Sequence, residues 1–581
     1  MGVFHRGIFN TNQQLCTNTL LYFRSNRVNL VFDKKIILYK NNTFITDTYF
    51  NSLSVLKLKK YTSIEDVFLN IDVYGIFSLN VIHKSIDNVE KIIYSEKYHI
   101  KERTCLSIEI ENWIILENGI VYFEIVSDSE TFLYGFNYST NSPKINDVKL
   151  AIVITHFNRQ EFLIPALDGI KNELYECDEF SEIKVYISDN SQNLNYKSDD
   201  KIIINKNKNF GGSGGFTFGL LKAREDNFTH CLFMDDDAST EIESIKRTYN
   251  LLSYMRNPDM AILGAMLFKE KCHIQHENGS KCKSGFEALH NKLDLSISKN
   301  LIENDKESEI EFGGWWFFCF KIENIQFLPF PFFVRGDDVT FSLANKLSIC
   351  TFNGIASWQD DFRSKHNAYL EYLNLRSSFV MNLVNQLNGG YLGFLKLYLK
   401  SFIVGFCTYR YNSCLATSMA LNDILEGEDF WNKNINMSEK RKFINNKFVY
   451  ENIVKCSGDL KIKTNYKSVA KENFFIRFIR VITLNGILIP NFFLRKEPLK
   501  ILYYTPSLID VFGYKTVHYY NKDLLSYVEC RKDYFISFKF LLIMFFDILK
   551  IIFLIPFFYK KYKVIYFNLT RTDYWKRLLG I

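Results

Sequence analysis

The chain has 581 residues and carries 71 Lys and Arg against 64 Asp and Glu, a formal charge of +7. That length exceeds one ordinary domain, so two to four are expected, and 9 prolines argue against long disordered linkers. The modest basic excess suits an anionic ligand or membrane surface, and the lack of a basic stripe with interleaved aromatics excludes a nucleic-acid partner.

Residues 1–145 read as a β-rich accessory domain. Short alternating runs such as Val28–Phe32, Leu106–Ile110 and Val121–Ile125 are separated by Asn, Asp, Ser and Gly turn signals, which predicts a β-sandwich or barrel. At Lys149 the pattern changes. Leu150–Ile154 is a continuous apolar run, the mark of a strand covered on both faces. Helix-spaced Leu163, Ala166, Leu167 and Ile170 follow, then further strands at Ile183–Ile187, Ile202–Ile204 and Cys231–Met234. Alternating strands and helices predict an α/β domain over 146–380 with an open parallel sheet and ligands at the carboxyl ends of its strands.

Past Phe379 the chain becomes helical, aromatic and basic, giving a helical C-terminal domain over 381–581. Its most apolar stretch, Ile536–Phe558, is interrupted by Lys539, Asp547 and Lys550, each costly at the centre of a bilayer. An in-plane amphipathic helix or a buried core helix therefore fits better than a span. Lys560, Lys561 and Lys563 directly after it suit an anionic lipid surface. Met1–Gly7 shows no basic segment leading into an apolar core, and the 12 cysteines form no CxxC pair. Cytosolic placement with reduced thiols is the expectation, extending to the inner face of the cytoplasmic membrane. Cys272, His273, His276 and Cys282 lie within eleven residues, but their spacing matches no common zinc module and predicts an ordinary loop.

Four motifs carry chemistry. Asp235-Asp236-Asp237 closes an apolar strand, where adjacent acids repel unless a cation resolves them. A hard ion such as Mn²⁺ or Mg²⁺, shared with a diphosphate, does so, with Asp235 and Asp237 on one face and Asp236 on the other. Asn209-Phe-Gly-Gly-Ser-Gly-Gly215 puts four glycines in five positions ahead of a helix-like Phe216–Ala223, which suits phosphate or sugar hydroxyls. It is neither a Walker loop nor a dinucleotide fingerprint. Thr155-His-Phe-Asn-Arg159 follows the first strand and offers the planar Arg159 cation with neutral hydrogen bonds from Thr155 and Asn158. Gly313-Gly-Trp315-Trp316 suits stacking on a sugar face, and Asp337-Asp338 supplies a base for an acceptor hydroxyl.

In this order the motifs resemble the GT-A (Rossmann-like) fold of family-2 glycosyltransferases, and more narrowly the bacterial polymerising galactofuranosyltransferases. Trp358 and the run Lys365-His-Asn-Ala-Tyr-Leu-Glu-Tyr-Leu-Asn-Leu-Arg376 extend the match, which covers about residues 150–380. The resemblance implies an inverting, metal-dependent hexosyltransferase that moves galactofuranose from a UDP-sugar donor to a glycan or lipid-linked glycan acceptor. It implies donor contacts from Thr155, Phe157, Asn158, Arg159, Asn190, Asn209, Gly211, Gly212, Asp235 and Asp236. Asp338, aided by Asp337, would be the base, and Trp315, Trp316, Asp337 and His366 would meet the acceptor. The family places a His after the Trp at 358 as a third metal ligand; here the ligand set would be Asp235, Asp237 and Gln359. A homo-oligomer is also implied. The alternatives are a family-2 enzyme with a rhamnosyl or galactopyranosyl donor, or a non-catalytic carbohydrate-binding protein.

Overall fold

In the computed structural model, the apolar runs read from the sequence form one open sheet. Its main strands are β1 (Leu150–His156), β2 (Ile183–Asp189), β3 (Ile202–Lys206), β4 (His230–Asp235), β5 (Met260–Phe268), β6 (Phe318–Lys321) and β7 (Ser348–Gln359). They lie in the order β3-β2-β1-β4-β6-β5-β7. The first four are parallel to their neighbours, β6 runs antiparallel between β4 and β5, and β5 is parallel to β7. The order reverses at β1, and such a switch point opens a crevice beyond the carboxyl ends of the strands. β1 is buried along nearly its whole length because it is covered on both faces. The helix Gly211–Glu225 comes so close to it that a Cβ at Gly219 would sit 2.2 Å from Val153, and one at Gly215 2.4 Å from Thr155.

The structure describes residues 1–9, 15–27, 30–32, 35–111, 113–282, 286–386, 389–456, 472–504, 507–521 and 525–581. Val28, in the first expected strand, lies outside them; the strand seen there is Leu30–Phe32. The chain forms two compact units. The first comprises Met1–Asn209, Gly215–Leu328 and Phe341–Asp360; the second comprises Phe210–Gly214, Pro329–Thr340 and Asp361–Ile581.

Within the first unit, the described residues before β1 form a nine-stranded sheet built on strands longer than the expected short runs. Phe68–Lys84 pairs along its length with Glu90–Glu109. On its other edge it pairs with Thr131–Thr140 up to Tyr74 and with Ile120–Ser127 from Phe77 onward. The change of partner falls at Gly75, whose φ of 131° few other residues adopt. This sheet is docked on the α/β domain by buried polar contacts. Tyr49 Oη donates to the Ile355 carbonyl at 3.0 Å, Lys57 Nζ to Thr351 Oγ1 at 3.0 Å, and Ser54 Oγ to Asp305 Oδ2 at 2.7 Å.

The second unit is mainly helical; among its described residues Asn452–Lys455, Leu499–Leu502, Thr516–Asn521 and Ser526–Arg531 form a small sheet that the sequence reading did not separate. Two of its helices, Gly390–Cys407 and Tyr534–Leu569, are long and apolar enough to cross a membrane by length and composition. The polar interruptions of the second all find partners within the protein, although only Asp547 is buried. Asp547 is 1% exposed, accepts from Tyr398 Oη at 2.9 Å and pairs with Lys550 at 3.1 Å, while Lys539 donates to Tyr450 Oη at 2.6 Å. The opposite face leaves Phe538, Phe545, Phe546, Phe553 and Phe557 exposed. The helix Phe474–Ile482 buries none of its residues and exposes Phe474, Phe475 and Phe478 beside Arg477 and Arg480.

Candidate active site

Sheet register gathers the polar strand ends at the switch point. Thr155 lies opposite Ser188 on β2 and Asp235 on β4, and His156 lies opposite Asp189. Beyond β4 the chain turns, and the three carboxylates separate by partner. Asp236 serves the loop after β1: it accepts the Phe157 backbone N–H at 2.9 Å and Arg159 Nη1 at 3.0 Å. The fully buried His156 stands against it, Nδ1 3.3 Å from Oδ2, without the alignment of a hydrogen bond.

Asp235 and Asp237 instead share Gln359, at the end of β7. Its Nε2 donates to Asp235 Oδ2 at 2.9 Å and to Asp237 Oδ1 at 3.1 Å. Arg159 Nη1 also reaches Asp237 Oδ2 at 2.8 Å. Burial, reinforced by the neighbouring Asp237 carboxylate, pushes the Asp235 carboxyl above the ordinary carboxylate range. Gln359 is 2% exposed, and its Oε1 is buried without a hydrogen-bond partner. These residues fit a hard divalent cation. Two carboxylates converge on one point, and a half-turn of the Gln359 amide brings its orphaned oxygen to the same point. Among the described residues no group of three His, Cys, Asp or Glu is placed to hold a metal; here the third corner is an amide.

Several other expected donor residues lie at or just after the ends of β1 and β2. Phe157 and Asn158 are exposed, and Asn158 N–H donates to Ser191 Oγ at 3.1 Å. Thr155 Oγ1 is buried without a partner, whereas the Asn190 N–H donates to the His156 carbonyl at 3.0 Å. Asn209 is half-buried in the same unit. Two residues at this edge escaped the sequence reading. Asp189 takes N–H groups of Ser191, Gln192 and Leu194 and so shapes the loop after β2. His156 is the second; its position directly after an apolar strand was the only signal for it. Trp315 and Trp316 are 5% and 7% exposed. Trp315 packs edge-on against Phe216, Phe233 and Phe341, and Trp316 Nε1 donates to the Gly264 carbonyl at 3.0 Å.

The remaining expected residues belong to the second unit. Gly211 has φ 69°, and a Cβ there would lie 1.9 Å from the Phe333 carbonyl oxygen, so only glycine fits. Gly212 follows it, and Ser213 Oγ donates to Asp337 Oδ2 at 3.0 Å; the expected glycine loop is in fact the first turn of the helix Gly211–Glu225, which this bond joins to the acidic pair. Asp338 is half-buried, accepts the Val339 N–H at 2.9 Å, and is pushed above its ordinary range by burial. His366 Nε2 lies 3.1 Å from Glu371 Oε1. Against the pull of burial, Arg410 and then His366 hold the Glu371 carboxyl down to about 2, so His366 belongs to a charged cluster of this unit. Of the four clustered Cys and His residues, Cys272 turns to Cys16 and His276 packs edge-on to Phe268.

Near the acidic turn, Tyr22 Oη donates to Glu241 Oε1 at 2.7 Å, yet burial pushes this carboxyl up to about 7. The folded chain therefore keeps a proton that the unfolded chain, titrating near 4.5, has lost. Stability should fall as pH rises from about 4.5 to about 7 and remain lower above that. Glu241→Gln is expected to flatten this slope and to add on the order of 2 kcal/mol at pH 8. Urea unfolding at pH 5 and pH 8 checks it; an unchanged slope in the variant would contradict the assignment.

Residues 151–300 match the family described as glycosyl transferase family 2. Over 419 residues, 66% of this chain, the sequence is 23% identical to galactofuranosyltransferase GlfT2 of Mycobacterium tuberculosis. It is 22% identical to GlfT2 of Mycolicibacterium smegmatis over 416 residues. These matches span 65% and 64% of the relatives' own length, just under two thirds. Among solved structures, a mannosyltransferase from Pyrobaculum calidifontis in complex with GDP-Man and Mn²⁺ aligns at 10% identity with a TM-score of 0.26, over 52% of this chain and 85% of that one. The α/β sheet with its acidic turn at the switch point thus lies where the chain matches glycosyl transferase family 2, and the chain as a whole resembles the galactofuranosyltransferases.

Proposed function

We propose that the protein is an inverting hexosyltransferase that transfers galactofuranose from UDP-galactofuranose to a growing surface glycan or a lipid-linked glycan. The observation that carries this reading is the convergence of Asp235, Asp237 and Gln359 at the switch point of a family-2 domain. Asp235, Asp237 and Gln359 would hold an Mn²⁺ or Mg²⁺ ion, which would supply positive charge to offset that of the departing diphosphate. Thr155, Phe157, Asn158, Asn190 and Asn209 bind the nucleotide, and Arg159 exchanges its carboxylate partners for the donor's anionic groups. Gly211 and Gly212 let backbone approach the donor closely. Asp338 takes the proton of the acceptor hydroxyl, whose oxygen attacks the anomeric carbon in line as UDP leaves, so configuration inverts without a covalent enzyme intermediate. Asp337 orders the base, and Trp315, Trp316 and His366 support the acceptor side.

A panel of UDP-sugars with Mn²⁺ or Mg²⁺ and a galactose-terminated acceptor tests the donor. UDP release with UDP-galactofuranose alone is expected. Release with a rhamnosyl or galactopyranosyl donor would overturn the donor assignment and keep the reaction class. Donor binding without release in any combination would point to a carbohydrate-binding protein.

The exposed Phe face of Tyr534–Leu569, ending in Lys560, Lys561 and Lys563, supports peripheral attachment to an anionic cytoplasmic membrane surface. The protein should float with phosphatidylglycerol vesicles at low salt, and Phe553→Ser with Phe557→Ser should lose most of that binding. Equal flotation of both proteins would sink the idea.

A further inference from the structure

The N-terminal segment and the loop that follows β5 meet at two thiols. Cys16 Sγ lies 2.7 Å from Cys272 Sγ, a residue 256 positions further on. That is closer than unbonded sulfurs normally approach and longer than the about 2.05 Å of a disulfide. Both side chains are buried, at 1% and 7% exposure, but Thr17 beside them is exposed, so the pair lies directly beneath the surface. The two thiols differ in character. The Cys272 thiol is held down to about 5, chiefly by the hydrogen bond from Cys16 and against the pull of burial. Cys16 is pushed up by the same bond and by burial.

We propose that Cys16 and Cys272 form an oxidisable pair, which a peroxide-class oxidant closes to a disulfide and a thiol reductant reopens. In the first step the Cys272 thiolate attacks the O–O bond of hydrogen peroxide, giving Cys272 sulfenic acid and, with one proton, water. In the second, Cys16 sulfur attacks the sulfenic sulfur and displaces hydroxide, which leaves as water with the Cys16 proton. Two thiols and one peroxide thus become one disulfide and two waters. Such a bond in a reducing compartment is a reversible, redox-sensing one.

The position gives the bond a consequence. The Cys272 carbonyl accepts Trp358 Nε1 at 2.9 Å, and the Lys269 N–H donates to the Gln359 carbonyl at 3.0 Å. The loop carrying Cys272 therefore backs the strand end that presents Gln359 to Asp235 and Asp237. Oxidation fastens the N-terminal segment to that support.

The test is peptide mapping of the full chain after hydrogen peroxide treatment, followed by alkylation and non-reducing digestion. The expected product is an intramolecular pair of peptides joined through Cys16 and Cys272, lighter by two hydrogens and released by a phosphine reductant. In Cys16→Ser, where no resolving thiol remains, dimedone should trap Cys272 as the sulfenic acid; the wild-type map itself needs no variant to fold. Full alkylation of Cys272 after peroxide overturns the proposal, whatever the exposed Cys105 does. So does conversion of Cys272 to sulfinic acid with no cross-link to Cys16.

Discussion

Asp338→Asn is expected to lower kcat by about 10²–10⁴-fold while leaving UDP-sugar affinity nearly unchanged. The carboxylate is half-buried and takes the Val339 N–H at 2.9 Å through Oδ1, a bond the Asn amide oxygen keeps. Only the ability to accept a proton is removed. Burial raises this carboxyl above its ordinary range, which brings it nearer the operating pH and makes it a better base than an exposed Asp. Its neighbour is built for a different task. Asp337 is 7% exposed and takes the Ser213 hydroxyl at 3.0 Å, so Asp337→Asn should loosen the glycine-rich first turn of the helix Gly211–Glu225 and lower thermal stability as well as rate. Stopped-assay UDP release, donor binding by calorimetry and thermal melts on both variants separate these roles. Near-normal turnover in Asp338→Asn, with donor binding intact, would remove Asp338 from the reaction.

Much of the α/β domain was legible because its strands are covered on both faces and carry no alternation to obscure. Leu150–Ile154 and Cys231–Met234 could be read as strands from composition alone, and the polar residues following them had to fall at the sheet's carboxyl edge. The N-terminal sheet was less readable for the opposite reason. Among the described residues Glu90–Glu109 pairs on one edge, and it is exposed almost throughout, so its 20 residues include many charges and no buried stripe. The small sheet after residue 451 was missed because its strands are only 4–6 residues long and lie among helices. Within the candidate site, local spacing identified Asp235 and Asp237 as a pair. It did not reveal Gln359, more than 120 positions away, which only the family resemblance named, since its contact with both acids depends on β7 pairing beside β5. The tandem Trp shows a related limit. A sequence reads both rings as stacking platforms, whereas their hydrogen bond and aromatic neighbours bury them.

That long-range contact sets the second large expected effect. Stripping divalent ions with EDTA should abolish UDP release, and Gln359→His should make the protein harder to strip by raising Mn²⁺ affinity about tenfold. Imidazole is a stronger donor to Mn²⁺ than an amide oxygen, and β7 already directs position 359 at Asp235 and Asp237. The cost lies in the metal-free state. There the Gln359 amide donates to both carboxylates, whereas a neutral imidazole has a single N–H to offer. Gln359→Leu removes both bonds and leaves two buried acids facing each other. It should destabilise the metal-free protein by about 1–3 kcal/mol, and added Mn²⁺ should recover much of that loss. Calorimetric titration with Mn²⁺ and thermal melts with and without the ion read these effects independently of activity. Full UDP release in EDTA would dismiss the ion from the reaction. Unchanged Mn²⁺ affinity in both Gln359 variants would instead keep the ion and place it away from Gln359, so that the amide serves only to hold two acids apart.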